Sequence, residues 1–262
     1  MTLPTVPESF YWTSSSCGPV LACRSLEGVA THVFTTRELQ LSGADAWRRA
    51  GDLLGVSEVV TLNQVHGREV MVVRRGSRQK TERVVPKEAD VLITDDPDIA
   101  IAVRTADCVP LLMADKKNGA VAAVHAGWRG AAAGAAGAAV QALAREFGSK
   151  PEDLVVAVGP SIGPCCYEVG TELVDAFAAA GHPRHLIDRW FPALPSQRGS
   201  RERLKLRLDV AGANRDQCVL AGVPEESIYA CGLCTAMYLD VLTSFRAEQE
   251  KAGRMAGIIR AR

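Results

Sequence analysis

A predicted β-hairpin between two reactive side chains constrains the fold of this chain more than any other segment. Residues 109–114 and 120–124 are apolar runs typical of strands, and residues 115–119 between them read Asp-Lys-Lys-Asn-Gly, which contains a turn signal. Cys108 precedes the first run and His125 follows the second. Because the strands of a hairpin are antiparallel, folding brings Cys108 and His125 together.

His66 is a third reactive residue next to the end of a predicted strand. It lies in Asn-Gln-Val-His-Gly, after the apolar run of residues 58–62. Two imidazoles and one thiolate are suitable protein ligands for Zn²⁺ and leave a fourth position open for chemistry. We therefore predict that His66, Cys108 and His125 bind a metal ion. A nucleophile–base pair of Cys108 and His125 without a metal is the competing hypothesis.

Charged residues beside these motifs are candidates for further roles. Asp107 adjoins Cys108 and could orient a histidine ring or transfer protons, although an aspartate in a turn also bonds its own backbone. Arg129 opens a predicted helix, where a guanidinium and backbone N–H groups suit an oxyanion or phosphate. Arg37, which follows Thr-Thr, is a second predicted contact for an anion.

The chain contains eight cysteines, and no secretory signal is visible, which favours free thiols over disulfides. Cys231 and Cys234 have the spacing of a metal-binding pair, but no second matching pair completes a structural zinc site. Cys165 and Cys166 are adjacent and lack the usual geometry of such a pair. We interpret these thiols as lying in or near the wall of the site.

Composition limits the class of protein. Hydrophobic residues make up 47% of the 262 residues, and 30 basic residues balance 30 acidic ones, as in a soluble globular protein. A balanced charge gives no global signature of nucleic-acid or membrane binding. The longest stretch of low polarity, residues 131–144, is shorter than the roughly 20 residues that span a bilayer. We expect a cytoplasmic protein that binds neither nucleic acid nor membranes.

Apolar periodicity and turn signals predict an α+β fold with mixed or antiparallel sheets, in one domain over residues 1–262. The predicted helices cover residues 44–54, 129–147, 172–180 and 208–221. The predicted strands, besides the hairpin, cover residues 29–35, 58–62, 69–73, 90–94, 99–103, 154–158, 227–230, 241–245 and 254–260. Residues 1–27 and 182–203 are predicted to be irregular, and residues 76–87 to form a solvated loop.

Five motifs together resemble those of the YfiH-like family, also called laccase-domain or multicopper polyphenol oxidase-like proteins. The motifs are residues 62–67 (Leu-Asn-Gln-Val-His-Gly), 105–111 (Thr-Ala-Asp-Cys-Val-Pro-Leu), 123–130 (Ala-Val-His-Ala-Gly-Trp-Arg-Gly), 158–167 (Val-Gly-Pro-Ser-Ile-Gly-Pro-Cys-Cys-Tyr) and 253–257 (Gly-Arg-Met-Ala-Gly). The resemblance implies a layered α/β/β/α-like fold similar to that of certain cysteine hydrolases. It also implies phosphorolysis of adenosine, inosine and methylthioadenosine, with deamination of adenosine.

The resemblance also implies roles for particular residues. The family's zinc ligands correspond to His66, Cys108 and His125, and copper is the less favoured ion. Predicted catalytic residues are Cys108, His125 and Asp107. Predicted substrate contacts are Arg37, Asn63, Gln64, Arg129 and Ser161. The expected partners are a purine nucleoside and phosphate, and the expected assembly is a monomer or weak homodimer.

Two segments depart from the family pattern. Arg37 is followed by Glu38 rather than by a Gly-Gly loop, and Arg246 is followed by Ala247 rather than by a second arginine. Three other functions remain open at this point. They are a metal-free cysteine hydrolase or amidase that uses Cys108 and His125, a copper-dependent polyphenol oxidase, and a protein that binds a nucleotide without catalysis.

Overall fold

The computed structural model describes residues 2–74, 88–192 and 206–262. Its strands are Phe10–Ser15 (β1), Gly18–Cys23 (β2), Thr31–Phe34 (β3), Val59–Val60 (β4), Val70–Val73 (β5), Val91–Thr94 (β6), Ala100–Thr105 (β7), Val109–Asp115 (β8), Val121–Ala126 (β9), Leu154–Val158 (β10), Glu168–Val169 (β11), Leu206–Arg207 (β12), Ile228–Ala230 (β13) and Met255–Arg260 (β14). Its α-helices are Ala44–Asp52 (α1), Trp128–Ala133 (α2), Ala135–Phe147 (α3), Glu172–Ala179 (α4), Arg184–Trp190 (α5), Val210–Leu220 (α6) and Phe245–Glu248 (α7). No helix within these ranges has the length and apolar character needed to cross a membrane.

Two six-stranded sheets contain most of the strands. The strand order is β1-β2-β3-β14-β7-β4 in the first sheet and β13-β10-β8-β9-β6-β5 in the second. Strands β8 and β9 are antiparallel neighbours, and Pro110 lies opposite His125. The predicted hairpin is therefore confirmed, although His125 lies within β9 rather than after it. Each sheet combines parallel and antiparallel pairs, which confirms the predicted α+β class.

The sheets pack face to face, and helices cover their outer faces. Ala50 of α1 packs with Ile258 on the outside of the first sheet. Leu143 of α3 belongs to the apolar cluster that covers the second sheet, to which α6 also contributes. Between the sheets, Ile101 and Leu112 share one core. Every residue of β8 and β9 is buried, because these central strands are covered on both faces.

The chain crosses from the first sheet to the second at one end of this sandwich. Residues 61–69 join β4 to β5, and residues 106–108 join β7 to β8. Strand β14 starts here too, since Met255 pairs with Thr105, the last residue of β7. Strand β9 ends here, since its last residue pairs with the first residue of β8. Four chain segments that carry candidate functional residues therefore meet at this end.

The N-terminal segment is not irregular, so the expectation for residues 1–27 is wrong. Strands β1 and β2 form an antiparallel hairpin at the edge of the first sheet. Phe10 and Leu21 extend from it into the core between the sheets. Only Phe10 is fully buried in β1, so this edge strand has no apolar alternation by which its sequence could be recognised.

The helix predicted over residues 129–147 is divided into α2 and α3. Gly134 ends α2 with a φ of 82°, a left-handed conformation that a residue without Cβ adopts at little cost. Gly148 ends α3 in the same way, as expected for a C-terminal glycine. Helix α2 itself starts at Trp128, and a single residue separates it from the end of the strand that carries His125.

Two further expectations are wrong. The link predicted over residues 182–203 contains α5, whose Trp190 packs edge to face against Phe177. Residues 241–245 are not a strand, because the chain turns there and Ser244 caps α7 by accepting a hydrogen bond from the N–H of Ala247. The loop predicted over residues 76–87 and the end of the 182–203 link lie outside the described residues.

Candidate metal centre and its cavity

Three side chains from separate parts of the chain converge where the sheets are joined. One ligand atom from each of His66, Cys108 and His125 lies within 4.8 Å of the other two. His66 comes from the β4–β5 connection, Cys108 from the β7–β8 connection and His125 from β9. The two imidazole rings meet edge to face, with their centroids 4.8 Å apart. The structure thus brings together the three residues that the sequence predicts as metal ligands.

Asp90 holds the loop that carries His66. Its carboxylate accepts hydrogen bonds from the N–H groups of His66 (3.0 Å), Val65 (3.2 Å) and Gly67 (2.6 Å). His66 has a φ of 63°, a left-handed conformation that is unfavourable for a residue with a Cβ. Three N–H groups directed at one buried carboxylate stabilise this conformation and so fix the position of the imidazole.

The same carboxylate orients His125. Asp90 Oδ1 lies 2.7 Å from His125 Nδ1, and both side chains are buried. Because Nδ1 is engaged, Nε2 remains for a metal, as in the carboxylate–histidine pairs of many metal sites. Asp90 therefore has the orienting position that the sequence analysis offered to Asp107. Sequence reasoning missed Asp90, whose one signal is an acid directly before the buried strand β6.

Burial and hydrogen bonding set the protonation of the cluster. Burial disfavours the charged form of each group, but the hydrogen bonds within the cluster outweigh it. Hydrogen bonds from His125 and His66 lower the pKa of Cys108 from 9.0 to about 7. Hydrogen bonds to Asp90 and Cys108 raise the pKa of His125 from 6.5 to about 9, and those from His125 and Gly67 lower the pKa of Asp90. Between about pH 7 and pH 9 the metal-free cluster thus favours a thiolate beside an imidazolium.

These pKa values predict the reactivity of the metal-free protein. Alkylation of Cys108 by iodoacetamide should increase with pH around an apparent pKa of about 7 rather than 9, because the thiolate is the nucleophile. Zn²⁺ should suppress the reaction, since a bound cation occupies the sulfur. Mass spectrometry of the Cys108 peptide measures both effects. An apparent pKa near 9, or a rate that Zn²⁺ leaves unchanged, contradicts this account of the cluster.

Gly127 leaves the space that the Cys108 sulfur occupies. A Cβ at position 127 would lie 2.6 Å from Cys108 Sγ and 3.4 Å from His66 Cδ2. A carbon this close to sulfur forces one of the atoms to move. The glycine in the Val-His-Ala-Gly-Trp-Arg-Gly motif therefore has a steric role at the candidate metal centre.

We expect Gly127→Ala to weaken Zn²⁺ binding about 10- to 100-fold although all three predicted ligands remain, because overpacking costs about 1–3 kcal/mol. Competition with a chromogenic chelator measures the affinity. Gly137→Ala is the matched control, since the nearest atom to its new Cβ is a backbone oxygen 3.9 Å away. Equal affinities of Gly127→Ala and the control would show that the sulfur does not need this space.

The three residues line a cavity of about 630 Å³, a size that suits a small organic molecule. Its charged lining is unbalanced. Four arginines, Arg104, Arg129, Arg246 and Arg254, line it together with a single carboxylate, that of Asp107. Among the described residues, the cavity is therefore a cationic environment that favours an anionic ligand.

Aromatic rings form another part of the lining. Trp128, Tyr167 and Phe245 all border the cavity. The guanidinium of Arg246 lies 4.9 Å from the centre of the Tyr167 ring, and that of Arg129 lies 4.3 Å from the centre of the Trp128 ring. These cation–π contacts hold two of the arginines beside flat apolar surfaces. The cavity thus offers both stacking faces and charge.

Asp107 connects two walls of the cavity. It lies in the β7–β8 connection with a φ of 91°, outside the usual range for a residue with a Cβ. Its carboxylate accepts hydrogen bonds from the hydroxyl of Thr235 and from the N–H of Arg246, the latter at 2.6 Å. Both oxygens are thus engaged, and the carboxylate positions the segment that carries Arg246 and Phe245.

The structure separates the predicted substrate contacts into two groups. Gln64 and Arg129 line the cavity, and the Gln64 amide also bonds the backbone N–H and C=O of Arg104 at 2.8 Å each. Asn63 is exposed and lies outside the lining. Ser161 is buried and lines a smaller cavity of about 260 Å³ instead.

Arg37 also lies outside the lining of the larger cavity. Its guanidinium pairs with Glu248 at 3.0 Å and donates to the carbonyl groups of Leu239 and Leu242. It braces the segment before and within α7. Arg104, Arg246 and Arg254 line the cavity but were not predicted as contacts. Arg254 lies in the motif of residues 253–257 and Arg246 at a departure from the family pattern, so the sequence marked both segments without giving either arginine a role.

The fold and the site define a class: an α+β protein of two sheets in which a His₂Cys donor set lines a cationic cavity. Residues 31–262 match the model of the family described as multi-copper polyphenol oxidoreductase laccase. The chain belongs to this family, which includes the YfiH and YlmD proteins.

Relatives of the chain carry the names of enzymes. It is 38% identical to a purine nucleoside phosphorylase of Bacteroides thetaiotaomicron, over 65% of this chain and 60% of that protein. It is 35% identical to the purine nucleoside phosphorylase YlmD of Geobacillus stearothermophilus, over 76% of this chain and 71% of that protein. It is also 35% identical to the adenosine deaminase RL5 of an unknown prokaryotic organism, over 70% of this chain and 68% of that protein. The chain is an enzyme of this family.

The fold agrees with this assignment. The crystal structure of the Bacillus licheniformis hypothetical protein YfiH superposes with a TM-score of 0.82 at 26% sequence identity. The superposition covers 96% of this chain and 99% of that one. The similarity therefore includes both sheets and the crossings that carry the candidate metal ligands.

Proposed function

We propose that the protein is a Zn²⁺-dependent purine nucleoside phosphorylase that also deaminates adenosine. One observation carries the proposal: a His₂Cys donor set and four arginines face the same cavity. Phosphorolysis requires a site for phosphate beside a site for a nucleoside, and deamination requires an activated water. The names of the relatives support the same pair of reactions.

The donor set supports zinc over copper. Two imidazoles and a thiolate with space for a further ligand suit a catalytic Zn²⁺. A blue-copper site adds a weak axial ligand, commonly methionine or glutamine. None of the described residues that line the cavity is a methionine, and both polar atoms of the Gln64 amide already bond the Arg104 backbone. The chain has five histidines, of which only His66 and His125 line the cavity, so a cluster of several coppers lacks ligands there.

The cavity walls support a purine nucleoside with phosphate as substrates. Trp128, Tyr167 and Phe245 provide flat apolar faces for a base. Arg104 and Arg129, which have no acidic partner among the described residues, provide guanidinium groups for phosphate. Held in place, phosphate attacks the anomeric carbon of the ribose as the base departs, so positioning supplies much of the rate.

Asp107 supports proton transfer near the base. Hydrogen bonds from Thr235 and from the N–H of Arg246 hold its carboxylate at the cavity wall. From there it can exchange a proton with a purine nitrogen or with water. Bound Zn²⁺ supplies a Lewis acid that lowers the pKa of water, which is the chemistry that deamination needs. Asp90 keeps His125 in the tautomer that leaves Nε2 free for the ion.

The two cavity arginines give a prediction that separates the reactions. We expect Arg104→Gln and Arg129→Gln each to raise the phosphate KM about 10- to 100-fold, since a hydrogen bond to a charged group contributes about 1.5–3 kcal/mol. Deamination uses no phosphate and should keep its kcat/KM. Arg145→Gln is the control, because Arg145 lies exposed on α3. A phosphate KM that neither variant changes contradicts this location of the anion.

A product assay tests the proposed function. The purified protein, with its metal content measured on the same sample, is incubated with adenosine in the presence and absence of phosphate. We expect adenine and ribose 1-phosphate only with phosphate, and inosine in both cases. No product above that of a Cys108→Ala control would refute the proposal.

The Asp90–His125–Cys108 arrangement favours a second candidate, a metal-free cysteine hydrolase or amidase. A thiol with a pKa of about 7 beside a histidine that a carboxylate orients is also the arrangement of a nucleophile and its base. Metal analysis separates the candidates. Phosphorolysis that chelators abolish and Zn²⁺ restores supports the first, whereas amide hydrolysis that chelators do not affect supports the second.

The proposed partners are small molecules, a purine nucleoside and phosphate. That the protein acts as a monomer or weak homodimer stays a prediction, as do substrate roles for Arg37, Asn63 and Ser161.

A further inference from the structure

A second group of thiols lies outside the cavity of the candidate metal centre. The sulfur atoms of Cys165, Cys166 and Cys234 all lie within 4.8 Å of one another, and all three cysteines are free. Cys234 groups with Cys165 and Cys166 rather than with Cys231, which is buried in the core between the sheets. The adjacent pair and one member of the Cys-x-x-Cys spacing therefore form one cluster, which the sequence does not reveal.

Backbone hydrogen bonds hold the two segments of the cluster in place. The N–H of Cys166 donates to the carbonyl of Gly163 at 3.0 Å, which forms the turn that carries the adjacent cysteines. Ser161 and Cys234 form a β-bridge, and the N–H of Thr235 donates to the carbonyl of Ser161 at 3.0 Å. The sulfurs therefore belong to segments whose relative position is already fixed.

Gly163 lies against the sulfurs. Its N–H donates to Cys234 Sγ at 3.3 Å. A Cβ at this position would lie 3.4 Å from Cys165 Sγ and 3.3 Å from Cys234 Cβ, closer than side chains usually pack. An N–H···S hydrogen bond stabilises negative charge on sulfur. The backbone around Gly163 thus resembles the outer shell of a metal–thiolate site.

We propose that Cys165, Cys166 and Cys234 bind one thiophilic d¹⁰ cation of the Zn²⁺ or Cu⁺ class. Thiolate ligands select such ions. Sulfurs around a tetrahedral Zn²⁺ lie about 3.8 Å apart when each Zn–S bond is about 2.3 Å, so sulfurs that already lie within 4.8 Å of one another have to approach by no more than about 1 Å. Cys165 is exposed, and Cys234 borders the cavity of about 260 Å³, which together provide an entry path.

The position of the cluster indicates what the ion does. The turn with Cys165 and Cys166 lies between Ile162 and Tyr167, which line the larger cavity. Cys234 precedes Thr235, whose hydroxyl binds Asp107. A cation bound to all three sulfurs cross-links these two segments. It therefore braces the wall of the larger cavity and acts independently of the proposed function.

Titration with Cd²⁺ tests the proposal. The fully reduced, metal-stripped full chain carries Cys108→Ala, so that the first site contributes no thiolate. We expect one equivalent of Cd²⁺ to produce a thiolate-to-metal charge-transfer band with the amplitude of three sulfurs. Cys165→Ser and Cys166→Ser in this background should each reduce that amplitude by a third or more and the affinity at least about tenfold. Cys218→Ala, which removes a lone thiol on α6, is the matched control and should change neither.

Thermal unfolding is a second test of the proposal that does not depend on the charge-transfer band. Zn²⁺ at about one hundred times its Kd should raise the Tm of the Cys108→Ala protein by about 5–10 °C. At the same Zn²⁺ concentration, Cys165→Ser should reduce the increase by about half or more and, because Cys165 is exposed, leave the metal-free Tm unchanged.

Two results overturn the proposal. One is the absence of a charge-transfer band, or a band that the Cys165→Ser and Cys166→Ser variants retain in full. The other is a disulfide between two of these cysteines. It would be detected if protein purified without reductant has two fewer reactive thiols than reduced protein and no metal bound to these residues.

Discussion

Cys108→Ala is expected to release the metal ion of the His₂Cys site and to lower kcat/KM for both phosphorolysis and deamination by about 10³-fold or more. The metal supplies several kcal/mol of transition-state stabilisation, and each 1.4 kcal/mol corresponds to about tenfold in rate. Cys108 is also the only thiol among the three predicted ligands, so two imidazoles alone remain. Bound zinc per protein and steady-state kinetics on the same preparation measure both effects.

The control for this variant is Cys218→Ala, which removes a buried thiol that belongs to neither group of candidate ligands. It should keep both zinc and activity, while circular dichroism shows that both variants fold. If the Cys108→Ala protein retains one zinc and full activity, Cys108 is not a ligand of the metal. The comparison is made with Cys165→Ser and Cys166→Ser in both proteins, so that the second thiol cluster holds no zinc. Loss of activity with zinc retained in that background favours the nucleophile hypothesis instead.

Asp90→Asn is expected to have the second largest effect. The change leaves the N–H groups of Val65, His66 and Gly67, and Nδ1 of His125, without a common anionic acceptor. Loss of the outer partner of a metal ligand typically lowers metal affinity about 10- to 100-fold. Removing one member of a buried pair also costs about 3–5 kcal/mol, so the free energy of unfolding should decrease even in a chelator.

Asp115→Asn is the matched control. Asp115 is buried like Asp90 and also accepts backbone N–H bonds, from Lys117 and Asn118, but it lies at the far end of β8. The Asp115→Asn variant should have a lower free energy of unfolding and an unchanged zinc affinity. Chelator competition and urea unfolding of both variants provide the comparison. Equal zinc affinities of Asp90→Asn and Asp115→Asn would mean that Asp90 does not support the metal centre.

The ligand cluster was predictable because it depends on local pattern. The Asn-Gly turn between two apolar runs predicts the β8–β9 hairpin, and hairpin geometry alone places Cys108 next to His125. His66 is recognisable by its turn residues, although its approach to the other two depends on the crossing between the sheets. The layers of the fold follow from runs such as β8, which are apolar on both faces.

The residues that were not predictable act through contacts distant in the sequence. Asp90 meets His125 and the His66 loop only after β6 and β9 pair. Arg104 and Arg254 reach one cavity because β7 and β14 are neighbours. Arg37 has the sequence context of an anion contact, but its fold environment supplies Glu248 as a partner. In each case the deciding interaction joins elements that no local pattern connects.

X-ray absorption at the zinc edge of the purified protein tests the central claim most directly. With the second thiol cluster removed by Cys165→Ser and Cys166→Ser, the account predicts about one zinc per chain, with one sulfur at about 2.3 Å and two imidazole nitrogens at about 2.0–2.1 Å, plus a further light ligand. In the Cys108→Ala protein this one-sulfur environment should be absent. Zinc bound without sulfur or imidazole, or active protein with no zinc, would contradict the claim that His66, Cys108 and His125 form a metal centre.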